Sequence, residues 1–234
     1  MSERSKLYKA RFSKVNAEKK YSLSEAIKLL KDLPKPKFDE TVDIVFRLGI
    51  DPKQSDQTVR GAVSLPKGTG KKVRVAVIAE ADKANDAKSA GADFVGMEDM
   101  IEKIKGGWLD FDVLIATPSA MNQVRTLGKV LGPKGLMPNP KTGTVTDQIA
   151  NAVKEAKAGR VEFRADKGAC VHVPLGKLSF TVDDLLENIK AVIAALIRAK
   201  PATFKGVYLL SASISATMSP GLKLDINEIS TMKV

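Results

Sequence analysis

Between Leu210 and Met218, four hydroxyl side chains, Ser211, Ser213, Ser215 and Thr217, recur at every second position. A β-strand sends alternate side chains to opposite faces, so the spacing predicts one face lined with hydroxyls. Leu210, Ala212, Ile214, Ala216 and Met218 are then expected on the other face, toward a core. Each hydroxyl both donates and accepts a hydrogen bond, which suits a phosphate- and ribose-rich partner. No Asp or Glu occurs from Asn188 to Leu224, whereas Lys190, Arg198, Lys200, Lys205 and Lys223 do. A solvated strand face would alternate in the same way.

The other reactive residue types form weaker patterns. Cys170 and His172 are the only cysteine and histidine. Two such ligands fall short of the four a structural zinc site uses, and nucleophilic catalysis by the pair would need a third, orienting group. One cysteine excludes an internal disulfide and fits a reducing compartment. Gly68-Thr69-Gly70-Lys71-Lys72 has the look of a phosphate loop, but Leu65 stands where the first glycine belongs and Lys72 where Ser or Thr would hold magnesium. A flexible domain junction is the better reading. Asp110 and Asp112, either side of Phe111, have the spacing of a solvated carboxylate pair. No catalytic residue, metal or cofactor is expected.

The twelve residues Gly132 to Gly143 contain three prolines and three glycines, which exclude a regular element. Lys134 and Lys141 lie there with no acid between Gly128 and Thr146. The stretch reads either as a linker or, because loops this long in compact domains are usually functional, as a second nucleic-acid contact.

The elements that must position these residues follow from hydrophobic periodicity. Val73–Ala79, Ala92–Val95 and Val113–Ala116 read as short strands. They alternate with helical stretches at Lys83–Ala90, Met97–Lys105, Pro118–Val130 and Asp147–Lys157, the pattern of a parallel sheet covered by helices. The flanks differ. Thr41–Ile50, Thr58–Leu65, Val161–Ala165 and Cys170–Pro174 read as strands. A helix opens at Ser22-Leu23-Ser24-Glu25, and another follows Thr181, with Leu185, Leu186, Ile189, Val192, Ile193 and Leu196 on one face. The fold class expected is mixed α/β and α+β. A discontinuous outer domain, 1–67 plus 160–234, has a mainly antiparallel sheet packed by helices, and a three-layer α/β domain, 68–159, is inserted into it.

The net charge of +11 and pI near 9.6 favour a polyanionic partner. Residues 68–159 hold 13 basic and 11 acidic side chains, leaving 25 and 16 in the flanks, so most of the basic excess lies in the outer domain. No apolar run reaches the roughly 20 residues a membrane span needs, and residues 1–21 lack the apolar core of a secretory signal, so a cytoplasmic protein is expected. Aromatics are 5% of the chain, and no predicted strand has the paired rings that stack unpaired bases. The reading is therefore of a folded, mostly helical RNA, recognised by shape, phosphates and 2′-hydroxyls. Lys35-Pro36-Lys37-Phe38 adds charge and one aromatic ring, although Phe38 could equally staple the adjacent strand. A nucleotide-binding enzyme built on the central sheet is the alternative, and fold alone does not support it.

Several runs together resemble a known family: Lys37-Phe38-Asp39-Glu40-Thr41-Val42, Gly49-Ile50-Asp51-Pro52, Val59-Arg60-Gly61, Ala90-Gly91-Ala92-Asp93, Gly107-Trp108-Leu109-Asp110-Phe111-Asp112, Leu131-Gly132-Pro133-Lys134-Gly135-Leu136-Met137-Pro138-Asn139-Pro140-Lys141 and Thr217-Met218. In order and across nearly the whole chain, they are similar to the ribosomal protein L-one family of the large-subunit mobile stalk. The resemblance implies the same split outer domain. It also implies binding to a structured 23S ribosomal RNA segment in the large ribosomal subunit, assistance to transfer RNA leaving the exit site, and repression of the chain's own operon through its messenger RNA. RNA contacts implied by the family fall on Lys37, Phe38, Glu40, Lys167, His172, Ser211, Ser215, Thr217 and Met218. Charge and strand face add Lys35, Lys205, Ser213 and Ser219. Two departures stand out: Ser219 replaces the glycine usual after Thr-Met, and Asp166-Lys167-Gly168-Ala169 replaces the usual Asp-Lys-Thr-Gly.

Overall fold

Hydroxyl caps start three of the helices, each accepting an orphan backbone N–H of the first turn. Ser5 Oγ accepts from Tyr8 N–H, opening α1 (Lys6–Phe12), and Ser22 Oγ accepts from Glu25 N–H, opening α2 (Leu23–Asp32). The computed structural model describes residues 4–231, the side chains of Ser55, Ala81, Asp82, Lys141 and Thr231 excepted. After α2 come β1 (Thr41–Leu48), β2 (Arg60–Ser64), β3 (Val75–Ile78), α3 (Ala81–Ser89), β4 (Phe94–Gly96), α4 (Glu98–Lys105) and β5 (Val113–Ala116). Then follow α5 (Met121–Val124), α6 (Gly128–Leu131), α7 (Ile149–Ala158), β6 (Arg160–Arg164), β7 (Cys170–Lys177), α8 (Val182–Arg198), β8 (Leu209–Ala216), β9 (Leu222–Lys223) and α9 (Ile226–Thr231). The chain divides into two units, Met1–Gly70 with Val161–Val234, and Lys71–Arg160.

The first unit is built on an antiparallel sheet in the order β7-β1-β8-β9, with β2 and β6 paired separately. Val42, Ile44, Phe46 and Leu48 of β1 point inward with Val171, Val173 and Leu175 of β7 and Ala212, Ile214 and Ala216 of β8, all buried. Against them pack Leu23, Ile27 and Leu30 of α2 and Leu185, Ile189, Val192, Ile193 and Leu196 of α8, in one continuous core. Thr181 caps α8 in a reciprocal capping box with Asp184.

Two inward assignments are corrected. Leu210 and Met218 are 46% and 45% exposed. In the β1–β8 ladder Arg47 pairs with Ser211 but Leu48 pairs with Leu209. The extra residue is a bulge, so Leu209 takes the core position and Leu210 is turned out. A Cβ on Gly49 would sit 2.4 Å from the Val207 carbonyl oxygen, so glycine is required where β1 leaves this bulge. Met218 lies beyond the strand end, where alternation no longer applies.

The second unit has three layers. Its parallel sheet runs β4-β3-β5. Ala76 and Ile78 face Met100, Ile101 and Ile104 of α4 with Val124 and Leu131, whereas Val75 and Val77 face Ala87 of α3 and Ile149, Val153 and Ala156 of α7. Both faces are covered, which accounts for the unbroken apolar run in β3. The helix expected over Pro118–Val130 is broken into α5, a 3-10 turn at Arg125–Leu127 and α6. There Thr126 Oγ1 donates to the Gln123 carbonyl, a local bond that competes with regular helix.

Candidate nucleic-acid interface

The register of β1 with its neighbours sets the outer face of the antiparallel sheet. His172, Val45, Ser213 and Lys223 form one row across four strands. Cys170, Arg47 and Ser211 form the next, and Pro174, Asp43 and Ser215 the third. His172, Arg47, Ser211 and Lys223 are exposed, and Ser213 and Ser215 half-buried. Ser211 and Ser213 therefore lie beside the cations Arg47 and Lys223, with neighbours within a row about 5 Å apart, the spacing of paired strands, whereas Ser215 lies beside Asp43. Arg47 and Asp43 were missed from the sequence, although the alternation of Thr41–Leu48 puts both on a common face; Lys223 was noted there as a nearby cation but not as part of the site.

At the end of β8 the chain turns. Thr217 N–H donates to the Thr41 carbonyl (3.1 Å), and Thr217 Oγ1 accepts the Thr41 N–H (3.2 Å). Met218 N–H donates to Glu40 Oε1 at 2.8 Å. Glu40 is itself buried and holds the Arg11 guanidinium through both oxygens, so its carboxylate faces the protein and supports the Thr217-Met218 turn from beneath. Burial would raise the Glu40 pKa, but the hydrogen bonds from Arg11 and Met218 and the charge of Arg11 outweigh it and hold it below the ordinary value. Arg11 Nε also donates to the Pro34 carbonyl, fixing the start of the segment that exposes Lys35, Lys37 and Phe38. Phe38 is 52% exposed, so it does not staple the strand.

Ser219 Oγ accepts the Ala216 N–H at 2.8 Å, and Ser219 N–H donates to the Ala216 carbonyl at 2.9 Å. The residue has no positive φ, so serine fits this turn, but its hydroxyl is turned back on its own backbone.

Lys167 is exposed at the tip of the β6–β7 hairpin. Asp166 Oδ1 accepts the N–H groups of Cys170 and Gly168, each at 2.8 Å, and Oδ2 lies 3.7 Å from His172 Nε2. The Cys170 N–H bond leads the influences that lower the Asp166 pKa. Ala169, where the family usually has glycine, is in the left-handed region at φ 59°. Lys205 is exposed in the turn before β8. The structure thus brings Ser211, Ser213, Ser215 and His172 onto one face and Thr217, Met218 and Ser219 to its end, with Glu40 behind them.

In the second unit the proline-rich stretch is folded around hydroxyls. Thr144 Oγ1 accepts the Asn139 N–H (2.8 Å), and Thr142 Oγ1 donates to the Asn139 carbonyl (3.1 Å), with both threonines buried. Arg160 Nη2 donates to the Thr142 carbonyl (2.6 Å). Lys134 is exposed; the Lys141 side chain lies outside the described residues. Among the described residues no group of three or more His, Cys, Asp or Glu could hold a metal, and no helix is long and apolar enough to cross a membrane.

Residues 29–220 match the ribosomal protein L1p/L10e family. Over 225 residues, 96% of this chain, it is 54% identical to large ribosomal subunit protein uL1 of Lactobacillus acidophilus, covering 98% of that protein. It is 57% identical over the same length to the proteins of that name from Saccharophagus degradans and Teredinibacter turnerae, covering 97% of each. The correspondence covers most of both units, and the chain belongs to the ribosomal protein L1p/L10e family.

Proposed function

We propose that this chain is a non-enzymatic constituent of the large ribosomal subunit that binds a structured segment of 23S ribosomal RNA through the outer face of its antiparallel sheet. The observation that carries this reading is the shared face of Ser211, Ser213 and Ser215 with Arg47, His172 and Lys223, ending at the Thr217-Met218 turn. Hydroxyls that donate and accept meet 2′-hydroxyls and phosphates across a shallow minor groove, and the cations supply sequence-independent attraction. Lys35, Lys37 and Phe38 extend this surface on one side, and Lys167 and Lys205 on others. Glu40 acts from behind as a positioning residue, and Ser219 closes the turn. Lys134 and Lys141 form a second RNA contact in the inserted unit.

Bound there, the protein forms the mobile stalk and assists release of deacylated transfer RNA from the exit site. It represses its own operon by binding a messenger copy of the ribosomal RNA site. It works in the cytoplasm, on the ribosome. The family relationship and the basic, hydroxyl-lined face support these roles together.

The test is a filter-binding titration of the stalk RNA transcript with the full-length protein and with a Ser211→Ala, Ser213→Ala, Ser215→Ala triple variant. Affinity should fall by tenfold or more, on the order of 0.5 kcal/mol for each hydrogen bond lost. Equal binding by a folded triple variant would remove the sheet face from the interface. A parallel titration with the messenger leader tests repression separately.

A further inference from the structure

The helix α1 has an aromatic flank that the sheet face does not use. Tyr8 and Phe12, one turn apart, lie with ring centroids 6.1 Å apart and planes inclined by 19°. The Arg4 guanidinium sits 4.4 Å above the Tyr8 ring. Phe12 is 50% exposed. The three side chains line, with Lys9 and Ser13, a shallow open groove of about 460 Å³. The rings therefore form a ladder with a cation at one end and an open aromatic face at the other.

We propose that this flank binds unpaired RNA, with a base stacking on Phe12 and the neighbouring phosphates held by cations of α1 and the residues after it. Two observations select this occupant. Residues 4–20 expose Arg4, Lys6, Lys9, Lys14, Lys19 and Lys20 against the single acid Glu18, so the surroundings complement a polyanion. Arg11, on the same helix, is anchored to the Pro34 carbonyl and to Glu40. That joins α1 directly to the segment bearing Lys35, Lys37 and Phe38. An aromatic ladder with adjacent guanidinium is how proteins hold single-stranded nucleic acid without sequence preference, since every base has a π-face. The contact is separate from the sheet face, which reads folded RNA, and it extends the footprint to an unpaired flank.

The experiment uses the full-length protein with two probes, a short oligoadenylate and a fully paired RNA duplex, at fixed salt. Phe12→Leu keeps an apolar side chain and removes the ring; Phe12→Trp enlarges the ring. Melting temperature and sedimentation are recorded for each. The proposal expects Phe12→Leu to weaken oligoadenylate binding about fivefold or more. Phe12→Trp should match or exceed the original protein, and duplex affinity should be the same in all three. Equal oligoadenylate affinity for Phe12→Leu overturns the proposal, as does a loss of the same size on the duplex. Self-association in the original protein that Phe12→Leu abolishes overturns it too, by making the groove a protein contact. Because the sheet-face variants are read on the stalk transcript, failure here leaves that interface untouched.

Discussion

Arg11 and Glu40 meet through two parallel hydrogen bonds, Nη1 to Oε1 at 2.9 Å and Nη2 to Oε2 at 2.7 Å, with both side chains almost fully buried. Glu40 Oε1 also accepts the Met218 N–H. Removing one partner of such a pair strands a charge in the interior. Arg11→Met is expected to lower unfolding stability by about 3–5 kcal/mol, measured by urea denaturation at neutral pH.

The same pair sets an acid dependence. The folded-state pKa of Glu40 lies below its ordinary value of 4.5. A depressed carboxylate contributes stability that is present above the unfolded-state pKa and is lost as pH falls through the folded one. In Arg11→Met the balance reverses, because burial, which raises the Glu40 pKa, is then opposed only by the weaker hydrogen bond from Met218. The stability gap between the two proteins should therefore narrow from pH 7 toward pH 4. A constant gap across that range would show that the pair does not carry the effect.

Much of this arrangement was legible in the residues. The two-residue period of Ser211, Ser213 and Ser215 placed them on one face, and β3, apolar throughout, indicated a sheet covered on both sides. Thr181 and Asp184 marked the start of α8. What escaped depends on pairing between distant segments. Nothing local in Arg11 announces a partner 29 residues away. Leu210 obeyed the alternation and was turned out by a bulge that exists only in the ladder with β1. Ser219 looked like an addition to the hydroxyl row, but its short side chain reaches the Ala216 backbone first.

Arg47 stands between Cys170 and Ser211 on the outer face and is exposed. If it neutralises one phosphate, Arg47→Gln should make the slope of log affinity against log salt shallower by about 0.9. The affinity loss should shrink as salt rises. Titrations of the stalk transcript over a range of potassium chloride concentrations give both quantities, and an unchanged slope would place Arg47 off the phosphate path.

Asn188 is buried in α8 and fully engaged. Its Nδ2 donates to the carbonyls of Leu175 (2.7 Å) and Gly68 (3.1 Å), and its Oδ1 accepts the Lys67 N–H (3.1 Å). Leucine has the same branched outline but leaves those backbone groups without partners. Asn188→Leu should cost at least about 1–3 kcal/mol in chemical denaturation. Amide exchange at Lys67 should accelerate by more than global destabilisation alone predicts.

Ala169 has φ 59°, a conformation that costs an L-residue roughly 1–2 kcal/mol. Glycine removes that strain but gains freedom in the unfolded chain worth about 0.4–1 kcal/mol. The Ala169 methyl is buried, and losing it costs about 0.8 kcal/mol more, so Ala169→Gly is expected to leave stability within about 1 kcal/mol of the original. Ala169→Val, β-branched in the same conformation, should lower it by more than 1 kcal/mol, on the order of the left-handed penalty itself. Denaturation midpoints of the three proteins check that Val falls below the other two.

The Thr217 hydroxyl accepts the Thr41 N–H at an exposed strand end, where water can replace it. Thr217→Val keeps the shape of the side chain, so stability should change by less than about 1 kcal/mol. In the interface the same hydroxyl would be shielded by RNA. Losing a hydrogen bond there costs about 1–3 kcal/mol, or roughly 5- to 150-fold in affinity. Thr217→Ser restores the hydroxyl and should restore most of the binding. The two readouts separate the roles: a stability loss with unchanged affinity makes Thr217 a clamp on β1, whereas an affinity loss rescued by serine makes it an RNA contact.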